Sequence, residues 1–582
     1  MPAMIRTALA GDPRRAPWLN ASSLFWIAAL LVLGAGLGLR DPWPADEPRF
    51  ALVAKHMVES GDWLFPHRGG ELYPDKPPLF MWLQAVFYAL SGNLRLAFLL
   101  PSLLAALGTL WLVRDLGRRL WSEQAGAYAA WALLFALQFT WQAKRAQIDP
   151  TVTFFITLSV YALLRHLLQG PDARWWMLGW FAAGLGVISK GVGVVALLVL
   201  LPAAWARWRG WDGIAAMRGP RFWLGPLALL LPLAAWLLPM LMAVHASGDP
   251  ALQAYADNIL FRQTAKRYVD PWHHHQPFWY FGKVILSQWL PTVLALPWML
   301  RPWCTALRAR DPRILLPLAW VLLVVLFFSL SSGKREVYIL PALPMLCLAM
   351  GPYLAGVLER PWPRRLGFGF ALLLVLAFAA VGAALAFSEP AFEQKFEAAR
   401  GVAHGGDAVG WLMLAIASFG GAALAWWRVA RGELALAWTL AGLWVGVSLF
   451  GYPLFNDASS ARGLMRTVGE AIGADAELGL VAWKEQNLLM ADREVVEFGF
   501  LQSRQVQLER AIAWQAQAPD TRWLLVRESA LPECADRSHG RLAGSANRRN
   551  WWLLRAGAWG GCAGGLSVPG AGGEDEDADD GG

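Results

Sequence analysis

Charge is what this 582-residue chain has least of: 16% of its residues are Asp, Glu, Lys or Arg, while 56% are hydrophobic. A soluble multidomain protein carries about 25% charged residues, so that class is excluded. With a mean hydropathy of +0.37, the composition is that of a polytopic helical membrane protein. Cysteine is scarcer still, at four residues. No two cysteines have metal-site spacing. Cys304 and Cys347 fall at or within apolar runs, and Cys534 and Cys562 pair only if their compartment is oxidising. No half-to-half repeat is visible, which disfavours a transporter built from two related bundles. The first apolar run is long and has no small-residue cleavage site followed by a polar region, so no cleavable signal is expected.

Long apolar runs are abundant instead. Segments long enough to cross a bilayer predict roughly thirteen transmembrane helices, centred on 24–39, 79–113, 124–141, 151–168, 175–189, 191–206, 222–244, 278–299, 314–331, 337–357, 366–388, 409–427 and 434–454. Many of the 35 tryptophans lie near the ends of these runs, where an amphipathic ring suits the headgroup layer. The net charge of +8 comes from arginines spread over short connecting loops. That pattern fits membrane orientation and not nucleic-acid binding. With the N-terminus inside, every cytoplasmic loop bears arginine, including Arg114, Arg207, Arg209, Arg308, Arg310, Arg360 and Arg431, as the positive-inside rule requires. The other side then receives the loop at 40–78, the segments 142–150, 245–277, 332–336 and 389–408, and everything after Tyr452.

The outer loop from Asp46 to Pro78 is the most charged stretch in apolar surroundings. It opens on Asp46 and Glu47, carries Arg49, Lys55, Arg68, Asp75 and Lys76, and ends at a Pro-Pro pair. A loop of this length with acids and bases is a candidate active site at the bilayer surface. Further outer charges are Asp149 in AKRAQIDPTVTFF, Lys190 in the Ser189-Lys190-Gly191 turn, Lys334 to Glu336 in SSGKREVY, and the 258–277 segment with Arg262 and His273-His274-His275. The plain reading of Asp46 is the N-cap of a helix starting near Pro48. For a lysine at a span end it is snorkelling. Adjacent histidines point in different directions, so the His run reads as a solvated loop. No metal is assigned a catalytic role, although a divalent ion there or near Asp75 is compatible with these side chains.

From Asp457 the apolar runs stop. Helices are expected at Ser460–Ile472 and Ser503–Ala516, and strands at Leu478–Trp483, Glu494–Phe498, Trp523–Val526 and Trp551–Leu554. The chain therefore divides into a transmembrane part at 1–455, an outer α/β domain at 456–567 and an acidic tail at 568–582 expected to be disordered.

Six outer loops bringing polar groups to one face suit an enzyme acting on a lipid-linked phosphate: carboxylates orient or deprotonate an acceptor, and Arg and Lys neutralise an anionic leaving group. A lipid-linked-sugar flippase and a non-catalytic assembly subunit are the competing classes.

The order DEPRFALVAKHMVESGDWLFP, LYPDKPPLFMWLQA, RAQIDPTVTFF, SKG and SSGKREVYILPALP resembles the GT-C membrane glycosyltransferases, and within them the lipid A aminoarabinose transferases and the related protein O-mannosyltransferases. The resemblance covers about residues 20–455 and fits the terminal domain more loosely. It implies a GT-C fold in the bacterial inner membrane and a sugar donor on polyprenyl phosphate. The acceptor is lipid A or another envelope molecule on the outer face, or a protein hydroxyl in the mannosyltransferase-like alternative. Carried onto this chain, it implies catalytic roles for Asp46, Glu47 and Asp149. Donor-phosphate contacts fall to Arg49, Lys76, Lys334 and Arg262, and other substrate contacts to Asp75, Tyr338 and Lys190. Aminoarabinose transferases commonly read DETRY and YFEKPP where this chain has DEPRF and YPDKPP. Pro48 stiffens the turn after the acids, and Asp75 stands for the usual Glu. These departures bear on the sugar and acceptor more than on the reaction class.

Overall fold

A computed structural model describes residues 21–216, 219–261, 275–387, 406–562 and 566–568. The architecture is a bundle of apolar helices with a five-stranded α/β unit on one end. Among the described residues, seven helices are long and apolar enough to cross a membrane, or eight if the pair Tyr280–Gln288 and Thr292–Arg308, bent by 96°, is one span. The expected count of about thirteen is not reached on length and composition. Ala21–Gly34, Leu79–Ser91, Val192–Trp208 and Ala342–Leu358 are apolar but shorter.

The run expected as one span at 79–113 is broken. A first helix ends at Ser91, Gly92 takes a left-handed φ of 63°, and the chain restarts through Leu94–Ala97 into Leu100–Leu120. Glycine meets that conformation without a Cβ penalty, so the break is local. Similarly, the 124–141 run is two helices, Glu123–Leu134 and Leu137–Ala143. Small residues set the closest helix approaches. A Cβ on Gly126 would lie 2.2 Å from the Arg114 carbonyl oxygen, so that crossing excludes any side chain, as is common where membrane helices pack backbone to backbone.

The first loop carries a short hairpin, β1 (His67–Arg68) and β2 (Glu71–Leu72). In the terminal unit β3 (Glu477–Val481) is parallel to β4 (Val495–Glu497) and β5 (Arg522–Arg527), and β7 (Arg549–Leu554) is antiparallel to β5 and β6 (Gly540–Ala546), giving the order β4-β3-β5-β7-β6. Four of these strands match the expected positions. The fifth, β6, reads GRLAGSA and has no hydrophobic alternation to announce it. The helices Arg462–Ile472 and Arg504–Ala516 lie where expected, and an unexpected one, Glu485–Met490, follows β3. The boundary expected at 455/456 falls inside the Tyr452–Ser460 helix. The tail beyond Val568 lies outside the described residues.

Strand alternation gives this sheet two dry faces. Leu524, Val526 and Leu554 pack with Leu508 of the Arg504–Ala516 helix, while Leu478, Leu525, Trp551 and Leu553 pack on the other side. That second face shares one core with Phe50, Met57 and Tyr73 of the first loop and Phe80 of the Leu79–Ser91 helix. Polar ties reinforce the contact: Gly70 N–H donates to Glu497 at 3.1 Å and Leu501 N–H to Glu71 at 3.0 Å. Cys534 and Cys562 form a disulfide within the unit.

A buried carboxylate pins the unit to the bundle. Asp41, 1% exposed, accepts from Arg95 at 2.7 and 2.9 Å, from Arg462 at 2.6 and 2.7 Å, and from the Asn456 amide at 2.7 Å. Burial alone raises a carboxyl pKa, but these donors outweigh it and hold Asp41 well below its ordinary 3.8. A carboxyl depressed in the fold contributes its stability above the unfolded pKa and loses it as pH falls through the folded one. Asp41→Asn is therefore expected to cost ~2–3 kcal/mol, since both arginines are half-exposed and the pair is less than fully dry. Limited proteolysis at pH 7 checks this: the variant should release the 462–562 unit faster, and the difference from wild type should shrink below about pH 4.

Candidate active site

The Asp46–Ser60 helix places its two acids in the first turn, where the helix dipole favours negative charge. Ala45 is the N-cap and makes no side-chain cap bond. Asp46 is thus the first helical residue and not the cap expected for a helix starting near Pro48. Its carboxylate is partly exposed, with Arg49 at 3.7 Å and Arg335 at 4.0 Å, both beyond hydrogen-bond distance.

Glu47 points the other way. It is 1% exposed and binds the Arg40 guanidinium through both oxygens. It also accepts the Trp43 N–H at 2.8 Å and the Ala146 N–H at 3.0 Å. Burial raises its pKa, and Arg40, with Arg145 and the Trp43 N–H, outweighs that and leaves it lowered. With both oxygens doubly engaged, Glu47 anchors the first loop to the 144–147 turn, while Asp46 is left facing its arginines. In that turn Lys144 donates to the Ala35 carbonyl at 3.0 Å, and burial followed by the charge of Arg40 brings its amine down to about 7.

A second acid–base pair forms where the Ile148–Leu168 helix begins. Lys190, the last residue of the Ala173–Lys190 helix, donates to Asp149 at 2.5 Å, and its ammonium lies 5.5 Å from the centre of the Tyr338 ring. The 335–338 turn therefore joins the two groups, carrying Arg335 to Asp46 and Tyr338 to Lys190. It is held from below, because Gln138 donates to the Glu336 carbonyl at 2.8 Å and accepts from the Trp289 indole at 2.8 Å. Lys334 is not brought in: it is buried and donates to the Gln276 carbonyl at 2.8 Å, tying the 275–276 strand segment to its own loop. Arg262, His273 and His274 lie outside the described residues. Asp75 and Lys76 sit half-buried in the bend before the Leu79–Ser91 helix. Among the described residues no group of three or more His, Cys, Asp or Glu side chains is placed to hold a metal.

Two residues beside this loop, Glu485 and Tyr73, escape a reading of the sequence, and Arg68 gains a partner that the sequence does not show. Glu485, buried in the terminal unit, accepts a hydrogen bond from Arg49 at 2.9 Å and forms an ion pair with Arg68 at 2.7 Å. Arg68 also stacks on Phe500, its guanidinium carbon 3.4 Å from the ring centre. Tyr73 is buried, and its hydroxyl has no hydrogen-bond partner among the described residues. Burial pushes its phenol up, and the charges of Arg49, Asp75, Arg68 and Asp46 also act on it. An orphaned hydroxyl among four charged groups is a place for a ligand's polar atom. One signal could have found Glu485: it follows the carboxyl end of the parallel strand β3, where α/β sheets present functional groups.

A helical membrane bundle with paired acids and bases at one face, covered there by a small α/β unit, defines a GT-C-type membrane protein. The profile of the dolichyl-phosphate-mannose-protein mannosyltransferase family matches residues 75–245. An undecaprenyl phosphate-alpha-4-amino-4-deoxy-L-arabinose arabinosyl transferase of Pseudomonas aeruginosa (strain LESB58) is 32% identical over 425 residues, covering 69% of this chain and 71% of that one. Transferase 2 of the same name from Pseudomonas fluorescens (strain Pf0-1) is 31% identical over 361 residues, covering 61% of this chain and 62% of that one. The chain belongs to this arabinosyl transferase family. It shares its fold with the crystal structure of ArnT from Cupriavidus metallidurans bound to undecaprenyl phosphate, with a TM-score of 0.66, 19% identity, and coverage of 91% of this chain and 97% of that one.

The Asp149–Lys190 pair gives a test of the geometry. Removing one partner strands a buried charge, so Asp149→Asn and Lys190→Met are each expected to lower stability by about 2–4 kcal/mol. The double variant leaves no stranded charge and should lose less than the sum. Thermal unfolding of the four proteins in detergent measures this coupling.

Proposed function

We propose that this protein transfers 4-amino-4-deoxy-L-arabinose, or a related sugar, from undecaprenyl phosphate to lipid A or another cell-envelope acceptor. The site then lies on the periplasmic face of the inner membrane. The observation that carries the reading is the state of Asp46. Asp41, Glu47, Asp149 and Glu485 each hold a close cation, whereas Asp46 stands 3.7 and 4.0 Å from its arginines. Its oxygens remain within reach of a substrate. Two further facts support the orientation: arginine marks the opposite loops, and the Cys534–Cys562 disulfide suits an oxidising compartment.

In this reading an acceptor oxygen attacks the anomeric carbon while the bond to the phosphate oxygen breaks, and the electron pair leaves on undecaprenyl phosphate. Arg49, Lys76 and Arg68 meet the developing phosphate charge, with Arg262 as a further contact from the 258–277 segment. One displacement inverts the anomeric centre. If the acceptor is a hydroxyl, its proton goes to Asp46. If it is a lipid A phosphate, already ionised near neutral pH, no base is needed and Asp46 positions the sugar or acceptor. Tyr73 and Tyr338 offer hydroxyl and ring contacts to the sugar. The terminal unit, from about residue 456, completes the site through Glu485.

Incubating purified protein with undecaprenyl-phosphate aminoarabinose and lipid A tests the reading. Donor consumption with a mass increase of the acceptor is expected, whereas a flippase would leave the donor intact. Asp46→Asn should lower turnover roughly 10²–10⁴-fold if the acceptor is a hydroxyl, and less if it is a phosphate. Full activity of Asp46→Asn with either acceptor removes Asp46 from the mechanism.

A further inference from the structure

At the end of the bundle opposite Asp46 lies a cavity of about 560 Å³ between two helix ends. The helices fix its depth. The Val192–Val199 and Leu200–Trp208 segments run away from Lys190 and Asp149, and Leu296–Arg308 runs away from Trp289, which braces the 335–338 turn through Gln138. Trp205, Trp208 and Trp211 line the cavity on one side, with Arg209, and Arg308 and Arg310 close it on the other. Trp205 and Trp211 pack edge to face at 5.8 Å, and Trp208 is 79% exposed.

Charge is unbalanced there. Among the described residues no carboxylate pairs with Arg209, Arg308 or Arg310. The nearest acid in sequence, Asp311, is taken by Arg313 through a bidentate bond at 2.9 and 2.8 Å, and Asp212 makes no ion pair among the described residues and does not line the cavity. Arg310 also has a φ of 58°, a left-handed conformation that non-glycine residues seldom adopt. Three arginines that line one cavity, none of them paired with an acid among the described residues, make a site for an anion. Their place at the ends of apolar helices, beside three indoles, is the headgroup layer.

We propose that this cavity holds the phosphodiester headgroup of an anionic phospholipid of the leaflet opposite the sugar-transfer site. Guanidinium forks match phosphate oxygens in pairs, the indoles cover the glycerol backbone, and the acyl chains run along the exposed apolar faces of the two helices. A headgroup with two phosphodiesters, as in cardiolipin, balances three cations better than one with a single phosphodiester.

Native mass spectrometry of the full chain in detergent tests the proposal through lipid retention, so its outcome is separate from whether the protein transfers a sugar. Wild type should retain phosphatidylglycerol or cardiolipin and release phosphatidylcholine. Each basic side chain near an anionic headgroup contributes roughly five-fold to binding, so Arg209→Gln/Arg308→Gln/Arg310→Gln should weaken retention on the order of a hundred-fold. Arg360→Gln/Arg431→Gln, which removes charge from the same face away from the cavity, should leave it unchanged. If the triple variant does not fold, Arg308→Gln alone carries the test, with roughly five-fold weakening expected. Unchanged retention in the cavity variants, or equal retention of phosphatidylcholine, overturns the proposal. So does displacement of the lipid by millimolar inorganic phosphate, which would mark a site for a soluble anion.

Discussion

Arg40 and Asp41 are neighbours in sequence and point to opposite partners, and the outer half of the molecule depends on that divergence. Arg40 binds Glu47 and the Lys144 carbonyl, which fixes the start of the first loop against the second. Asp41 binds Arg95, Arg462 and Asn456, which fixes the same point to the terminal unit. Each is nearly inaccessible to water. A buried ion pair gains little net stability over apolar packing, but removing one member strands the other at a cost of several kcal/mol. These residues therefore act through geometry: they define where the Asp46–Ser60 helix begins and which way its first turn faces.

That anchoring separates two adjacent acids into different roles. Glu47 is taken up by Arg40 and two backbone N–H groups, and Asp46, one residue earlier, is rotated about 100° around the helix axis toward Arg49 and Arg335. The same division recurs across the site. Asp149 is closed by Lys190, while Lys190 also reaches Tyr338; Lys334 is spent on a loop carbonyl, while its neighbour Arg335 reaches Asp46.

The apolar helical bundle, though not its number of spans, and four of the five terminal strands could be read from the sequence because apolar runs and alternation are local signals. So could the charged positions of the first outer loop, which stand out against their surroundings. Three things could not. The Gly92-Asn93 break interrupts hydrophobicity too briefly to register in a long window. Strand β6 is held in the sheet by β7 and not by any pattern of its own. Most of all, the partners of buried charges lie far off in the chain: Glu485 is 436 residues from Arg49, and Arg462 is 421 from Asp41. No spacing rule links such positions, so Glu47 and Asp46 looked equivalent until their partners were known.

The pairing of Glu485 with both Arg49 and Arg68 sets a carboxylate of the terminal unit against two cations of the first loop. Two guanidinium groups close together in a dry site repel one another, and one carboxylate between them removes that cost. An anionic phosphate approaching Arg49 and Arg68 must compete with Glu485 for the same donors. Its net gain is the difference between two charge-assisted interactions, which is smaller than either. Under the proposed function this competition keeps donor binding from being too tight to turn over, since stabilisation that grows only as the leaving group gains charge accelerates the step, and uniform binding does not. Under the proposed function the α/β unit then belongs to the active site, because its Glu485 supplies a counter-charge to both Arg49 and Arg68.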